Sequence, residues 1–324
     1  MDTKTRIKLF LIDNLVWLIN IGLYVFFAFL NPQGFLTLRN VEFILYTSSM
    51  IGFLVFAEAL VLVTGNMDLS LAQNAGLSAM VGGFILGVMF PGLPGWVGIV
   101  IVILTGALLG ALNGILVGKI GYNAFLGTLA TFLIFDWTTS WIRRGAIVNL
   151  PDSFLAPGQA QIGGIHVAIF IFLGAVILLH LVLRRTKFGL QIYSTGGNPD
   201  TTEMMGVNVG NVLLWVFTIG GALAGIAGLL YVGYVTSVTS TIAEGTIFNA
   251  FAGAIIGGIS LRGGRGRITG AMGGVILMGI LEAGLTMLNV APSVRGVLTG
   301  IVLLVAIFIN MSISKLRDRI LMPS

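Results

Sequence analysis

A chain of 324 residues with 56% hydrophobic and 9% charged residues lacks the composition of a soluble globule, where about a quarter of residues carry charge. It reads as an all-α polytopic membrane protein, one permease-like domain over residues 1–324 with no soluble module. The net charge of +5 informs only through its distribution, and the lack of cysteine excludes disulfides, zinc–thiolate sites and cysteine nucleophiles. His166 and His180 read as packing or interface residues rather than metal ligands.

In chain order, Lys4, Arg6 and Lys8 precede an apolar run from Leu15 to Leu30. No small-x-small cleavage site follows, so this run is expected to stay as a signal-anchor helix. A spanning helix needs ~20 mostly apolar residues. Ten segments qualify: 14–30, 42–64, 69–90, 96–118, 122–142, 165–183, 212–232, 247–261, 268–288 and 294–311. The eighth is short and reads as broken or re-entrant. With the N-terminus inside, 13 of the 17 Lys and Arg residues fall in inner segments. Arg39, Arg143, Arg144 and Arg295 fall outside. The asymmetry predicts ten spans with both termini in the cytoplasm.

Glycines recur at four-residue spacing: Gly106, Gly110, Gly114 and Gly118; Gly266, Gly270 and Gly274; and the pairs Gly253/Gly257 and Gly221/Gly225. Such stripes let helix backbones approach closely in lipid. A short internal echo relates AMVGGFILG at 79–87 to AMGGVILMG at 271–279. Each follows a polar, glycine-containing break, the pattern of transporters with broken helices at the binding site.

The stretch TGNMDLSLAQNAGLS, residues 64–78, is the most polar part of an apolar region. Asn66 and Asp68 interrupt two apolar runs. Ser70, Gln73, Asn74 and Ser78 then share one helix face. Lipid penalises such a stripe, so it is expected to face the bundle interior or a wet cavity. Its hydroxyls and amides suit a neutral, hydroxyl-rich solute; the bland alternative is bonding between neighbouring helices. Asp68 is also placed to cap a helix beginning near Leu69. Glu282, Thr286 and Asn289 form a second, weaker lining. Glu58, Asp136 and Glu282 could serve an ion-coupled secondary carrier, the alternative reading, although no intramembrane Lys or Arg stands out as their partner. No HExxH, Ser–His or paired-carboxylate pattern points to an enzyme.

The connection 184–211 is polar and, by the charge count, cytoplasmic. Asn198 suits a helix N-cap, Pro199 the first helical position and Gly206 the residue past the end. Asp200 and Glu203 favour the N-terminal half of that short helix, and Met204 and Met205 add adaptable apolar surface. A capped polar helix outside the membrane is built to dock on another protein.

GNMDLS, STGGNPDTTEMMGVNV and AGAIIGGISLRGGRGRITGAMGGVILMGILEAGL together resemble, in order, three motifs of the ribose-type (monosaccharide) ABC importer permeases, related to the branched-chain amino acid permeases. The resemblance covers most of the chain. It implies a transporter permease of the prokaryotic cytoplasmic (inner) membrane that imports a sugar or sugar-like solute. It also implies a second permease copy or paralogue, an external solute-binding protein and a separate ABC ATP-binding subunit that carries the ATP. This chain would bind no cofactor, no metal and no nucleic acid, and no Gly-x-x-x-x-Gly-Lys-[Ser/Thr] loop is present to hold nucleotide. Carried over, Asn198 to Gly206 is the coupling helix, and residues 64–78 border the pathway. Asn66, Gln73, Asn74 and Glu282 depart from the family pattern and leave the solute open.

Overall fold

The computed structural model describes residues 14–321. Lys4, Arg6 and Lys8 lie outside them, as do the side chains of Lys315, Arg317 and Arg319. The chain forms α1 (Leu15–Leu30), α2 (Pro32–Phe35), α3 (Leu38–Val63), α4 (Leu71–Phe84, widening into a π-turn at Ile85–Met89), α5 (Gly95–Gly118) and α6 (Ala124–Ile142). Next come α7 (Asp152–Gln159), a hairpin of two-residue strands, α8 (Val167–Arg185), α9 (Lys187–Gly197) and α10 (Pro199–Met204). The last are α11 (Val209–Val235), α12 (Thr246–Ile256), α13 (Ile268–Met287) and α14 (Pro292–Leu321).

Helix starts follow local side-chain chemistry. Thr37, Asn123, Thr186 and Asn208 each accept a hydrogen bond from the backbone N–H three residues on, which satisfies one donor that the first turn leaves open.

Each of the ten expected segments coincides with a helix. Among the described residues, six are long and apolar enough to cross a membrane: α3, α4 with its π-turn, α5, α8, α11 and α13. α6 has the length, but Thr128, Thr131, Asp136, Thr138 and Thr139 dilute its apolar character. The eighth segment is half a span, as expected: α12 has 11 residues, a rise of ~16 Å against a hydrocarbon core of ~30 Å.

α3 is the central post. Residues 48–64 are buried without interruption, and the helix packs against α8, α11, α12 and α13. A helix apolar on all sides belongs in the middle.

The glycine stripes are the closest contacts in the bundle. α5 lies against α11 so tightly that a β-carbon at Gly110 would overlap the Phe217 carbonyl, one at Gly118 would stand 2.6 Å from the Gly210 carbonyl, and one at Gly106 would overlap the Gly221 carbonyl. α12 and α13 repeat this arrangement. A β-carbon at Gly257 would stand 2.6 Å from the Gly270 carbonyl, and one at Gly274 would overlap the Gly253 carbonyl. Gly266 departs from its expected place. It precedes α13 in the loop with φ 145°, a conformation that suits glycine, so the α13 stripe is Gly270 and Gly274 alone.

These contacts predict a sharp contrast between two glycines. Gly110→Val should lower the thermal midpoint in detergent by several degrees, as overpacking costs about 1–3 kcal/mol. Gly127→Val should be neutral, since the atom nearest its added β-carbon is Tyr122 Cβ at 3.9 Å. Equal midpoints for the two variants would contradict the packing.

Candidate functional site

α3 ends at Thr64, and Gly65, at φ 79°, turns the chain out of the helix. Residues 66–70 then run without regular structure to α4. Asp68 is 1% exposed, and its carboxylate organises this break. Its Oδ1 accepts from the Ser70 backbone N–H at 2.9 Å and from the Ser70 hydroxyl at 2.7 Å. Asn113, from α5, donates through Nδ2 to Ser70 Oγ at 2.7 Å and to Asp68 Oδ2 at 3.3 Å. Thr128 of α6 accepts from the Leu69 N–H at 3.1 Å. The break is therefore pinned to two neighbouring helices.

Asp68 does not cap the helix in the expected way. α4 begins at Leu71, its N-cap is Ser70 with no side-chain cap bond, and Asp68 bonds the N–H two residues on, closing the turn ahead of the helix. Ser70, Gln73, Asn74 and Ser78 all face into the protein and are buried. Asn74 donates to the Gly106 carbonyl at 3.1 Å and accepts from Ser78 at 3.0 Å. Much of the stripe thus bonds within the bundle. Gln73 differs, because its Oε1 is buried without a hydrogen-bond partner. Asn66 is half-buried and bonds back to Thr64.

Glu58 is fully buried on α3 beside Asp68, and neither carboxylate oxygen has a hydrogen-bond partner. Glu282 does not join this cluster. It forms an ion pair with Arg295, the partner that the sequence reading did not find. Arg295 also donates to Thr286 at 2.7 Å. Asn289 lies past the end of α13 in a left-handed conformation, φ 55°, so it does not continue the Glu282–Thr286 helix face.

The segment after α8 holds two helices. α10 is the short helix expected from sequence. The Asn198 side chain accepts from the Thr201 N–H at 2.9 Å, Pro199 opens the helix, and Gly206 follows it at φ 82°. Thr202 faces inward, while Pro199, Asp200 and Glu203 are exposed. Met204 and Met205 are 87% and 67% exposed, an unusual display for methionine on a polar helix. α9 was not foreseen; Thr186 starts it, and Ile192 and Thr195 bury one side.

α9 ends in a backbone joint. The Gly264 N–H donates to the Val63 carbonyl at 2.8 Å. A β-carbon at Gly263 would stand 2.7 Å from both the Gly65 nitrogen and the Gly196 carbonyl oxygen, and one at Gly196 would overlap the Val63 carbonyl. The Tyr193 hydroxyl donates to the Gly266 carbonyl at 2.8 Å. The end of α3, the loop after α12 and the end of α9 thus meet through main-chain atoms, one residue ahead of the α10 cap. The doublets Gly196–Gly197 and Gly263–Gly264 are the sequence trace of this joint.

Among the described residues, no three His, Asp or Glu side chains gather as a metal site.

A family model described as "Branched-chain amino acid transport system / permease component" matches residues 40–307. The ribose import permease protein of Escherichia coli (strain K12) is 31% identical over 290 residues, covering 87% of this chain and 88% of that protein. The ribose import permease protein of Bacillus subtilis (strain 168) is 32% identical, covering 89% of each chain. The galactose/methyl galactoside import permease protein of Escherichia coli (strain K12) is 28% identical, covering 91% of this chain and 93% of that protein. No solved structure matches the chain.

Two substitutions test the polar cluster in opposite directions. Asn113→Leu leaves Asp68 and Ser70 short of a donor and should destabilise by about 1–3 kcal/mol. Glu58→Met removes a buried, unpartnered carboxylate at similar volume and should raise the thermal midpoint. A lower midpoint for Glu58→Met would mean that the carboxylate has a stabilising role its surroundings do not reveal.

Proposed function

The chain belongs to the permease-component family of the branched-chain amino acid transport type, and we propose that it is the membrane-spanning subunit of an ATP-driven importer for a sugar or sugar-like solute. It is a transport permease and not an enzyme. Relatives named as ribose and galactose import permeases match nearly end to end, and this favours the import reading over the ion-coupled carrier. Ten crossings with both termini in the cytoplasm complete the reading, in the inner membrane of a prokaryote. The 13-to-4 distribution of Lys and Arg supports that orientation.

The observation that carries the mechanism is the glycine joint behind α10. A separate ATP-binding subunit would grip α10 through Glu203, Met204 and Met205, which are exposed side by side. Methionine fits a partner groove of irregular shape. When ATP closes that subunit, the pull on α10 passes through Gly196 to the main chain at Val63 and Gly264. Direct main-chain contact leaves no side chain to flex and absorb the motion. The ends of α3 and α12 would then shift together and bias the bundle between outward- and inward-facing states.

The solute path would run beside the polar break at 64–70 and the α4 stripe. Gln73, with its unpartnered buried Oε1, is the stripe's strongest candidate for solute contact, because Asn74 and Ser78 are engaged with each other. A second permease copy or paralogue would complete the path, and an external binding protein would deliver the solute.

Glu203→Lys combined with Met205→Asp should abolish co-purification of the ATP-binding subunit while the permease still inserts. Undiminished co-purification would remove α10 from the interface. Gln73→Leu should reduce solute uptake about tenfold at unchanged membrane yield, the effect of one lost hydrogen bond of ~1.4 kcal/mol. Unchanged uptake would take Gln73 out of the path.

A further inference from the structure

We propose that a cleft between the end of α8, α9 and the start of α13 binds the phosphate headgroup of an anionic phospholipid of the inner leaflet. The inference rests on the orientation given under Proposed function.

The cleft encloses about 620 Å³. Two guanidinium groups from different elements line it: Arg184 from the last turn of α8, and Arg267 immediately before α13. His180 lies one turn before Arg184 and also lines the cleft. No Asp or Glu is among its lining residues, so the site is cationic throughout. Thr269 supplies a hydroxyl from the first turn of α13, where a helix end leaves N–H groups without intrahelical partners and carries partial positive charge. An arginine pair with a hydroxyl and a helix N-terminus matches the oxygens of a phosphate.

The wall between α9 and α13 is held in place by the hydrogen bond from Tyr193 to the Gly266 carbonyl. Burial raises the pKa of the Tyr193 phenol, so it remains a donor at neutral pH.

The surroundings select a lipid over a free anion. Ile177 and Leu181 stand seven and three residues before Arg184, on the same side of α8. They are 61% and 49% exposed, and α8 is one of the helices apolar enough to cross a membrane. A ligand with its phosphate at Arg184 and Arg267 would lay its acyl chains along this apolar stripe. Basic clefts between spanning helices on the cytoplasmic side suit such headgroups. The bound lipid would also brace α9 against α13, beside the joint that leads to α10.

The test uses the full chain in detergent, delipidated and then titrated with dioleoyl phosphatidylglycerol or dioleoyl phosphatidylcholine, with bound lipid counted by native mass spectrometry. The wild type should retain phosphatidylglycerol and not phosphatidylcholine. Arg184→Gln with Arg267→Gln should weaken retention about tenfold. Thr269→Phe, which fills the cleft without changing charge, should weaken it too. Lys187→Gln with Arg262→Gln, which removes two charges outside the lining, should leave it intact. Equal loss in the two charge-removing pairs, or no loss in the cleft pair, would overturn the site. Protection by inorganic phosphate equal to that by phosphatidylglycerol would make it a free-anion site and overturn the lipid assignment. Thr269→Cys, in a chain without other cysteines, separates the two readings: labelling by an impermeant maleimide from outside intact cells would sink the orientation, whatever the lipid count shows.

Discussion

Main-chain contact between helices is the constraint on which the rest of this structure depends. In lipid, apolar side chains gain nothing by leaving one hydrocarbon surface for another, so helices associate by close packing and by polar contacts. Here α5 and α11 meet where Gly106, Gly110 and Gly118 face Gly221, Phe217 and Gly210. α12 and α13 meet through Gly253, Gly257, Gly270 and Gly274. These pairs form two seams in the bundle, with α3 buried among α8, α11, α12 and α13. The seams fix the geometry with backbone atoms, which cannot change rotamer.

The polar break after α3 depends on the first seam. Asn113 reaches Asp68 and Ser70 from α5, on the same helix that holds the glycine stripe. Asn74 of α4 bonds the carbonyl of Gly106, a member of that stripe. A carboxylate so deeply buried needs several donors to offset its lost hydration. Asp68 has them, and its neighbour Glu58 does not. The two acids therefore differ in kind: one organises a turn, and the other stands unsatisfied within a helix.

Legibility in the sequence followed the range of the interaction. Asn198, Pro199 and Gly206 were readable because a cap involves residues three or four apart. The apolar segments were readable because lipid imposes length and hydropathy on each helix separately. The glycine spacing announced close packing, and the structure assigned the partners, Gly110 to Phe217 and Gly270 to Gly257. The bond from Asn113 to Asp68 spans 45 positions, and nothing near either residue encodes it. The pairing of Glu282 with Arg295 was missed because a turn brings α14 back against the end of α13, an event that hydropathy does not describe. α9 was missed because its short, mixed sequence looked like connecting loop. The joint of residues 63–65, 196–197 and 263–264 left only glycine doublets, and these read equally well as ordinary turns.

That joint divides labour between the surface of α10 and what lies behind it. Transmission runs through peptide atoms, which every amino acid shares, whereas recognition sits on side chains facing solvent. The two can therefore diverge independently. A lineage could re-tailor the exposed methionines and acids to suit a different motor and leave the linkage mechanically intact, provided that small residues persist at the three crossing points. Exchange of engines among related importers would then be a matter of surface fitting rather than of redesigning the machine.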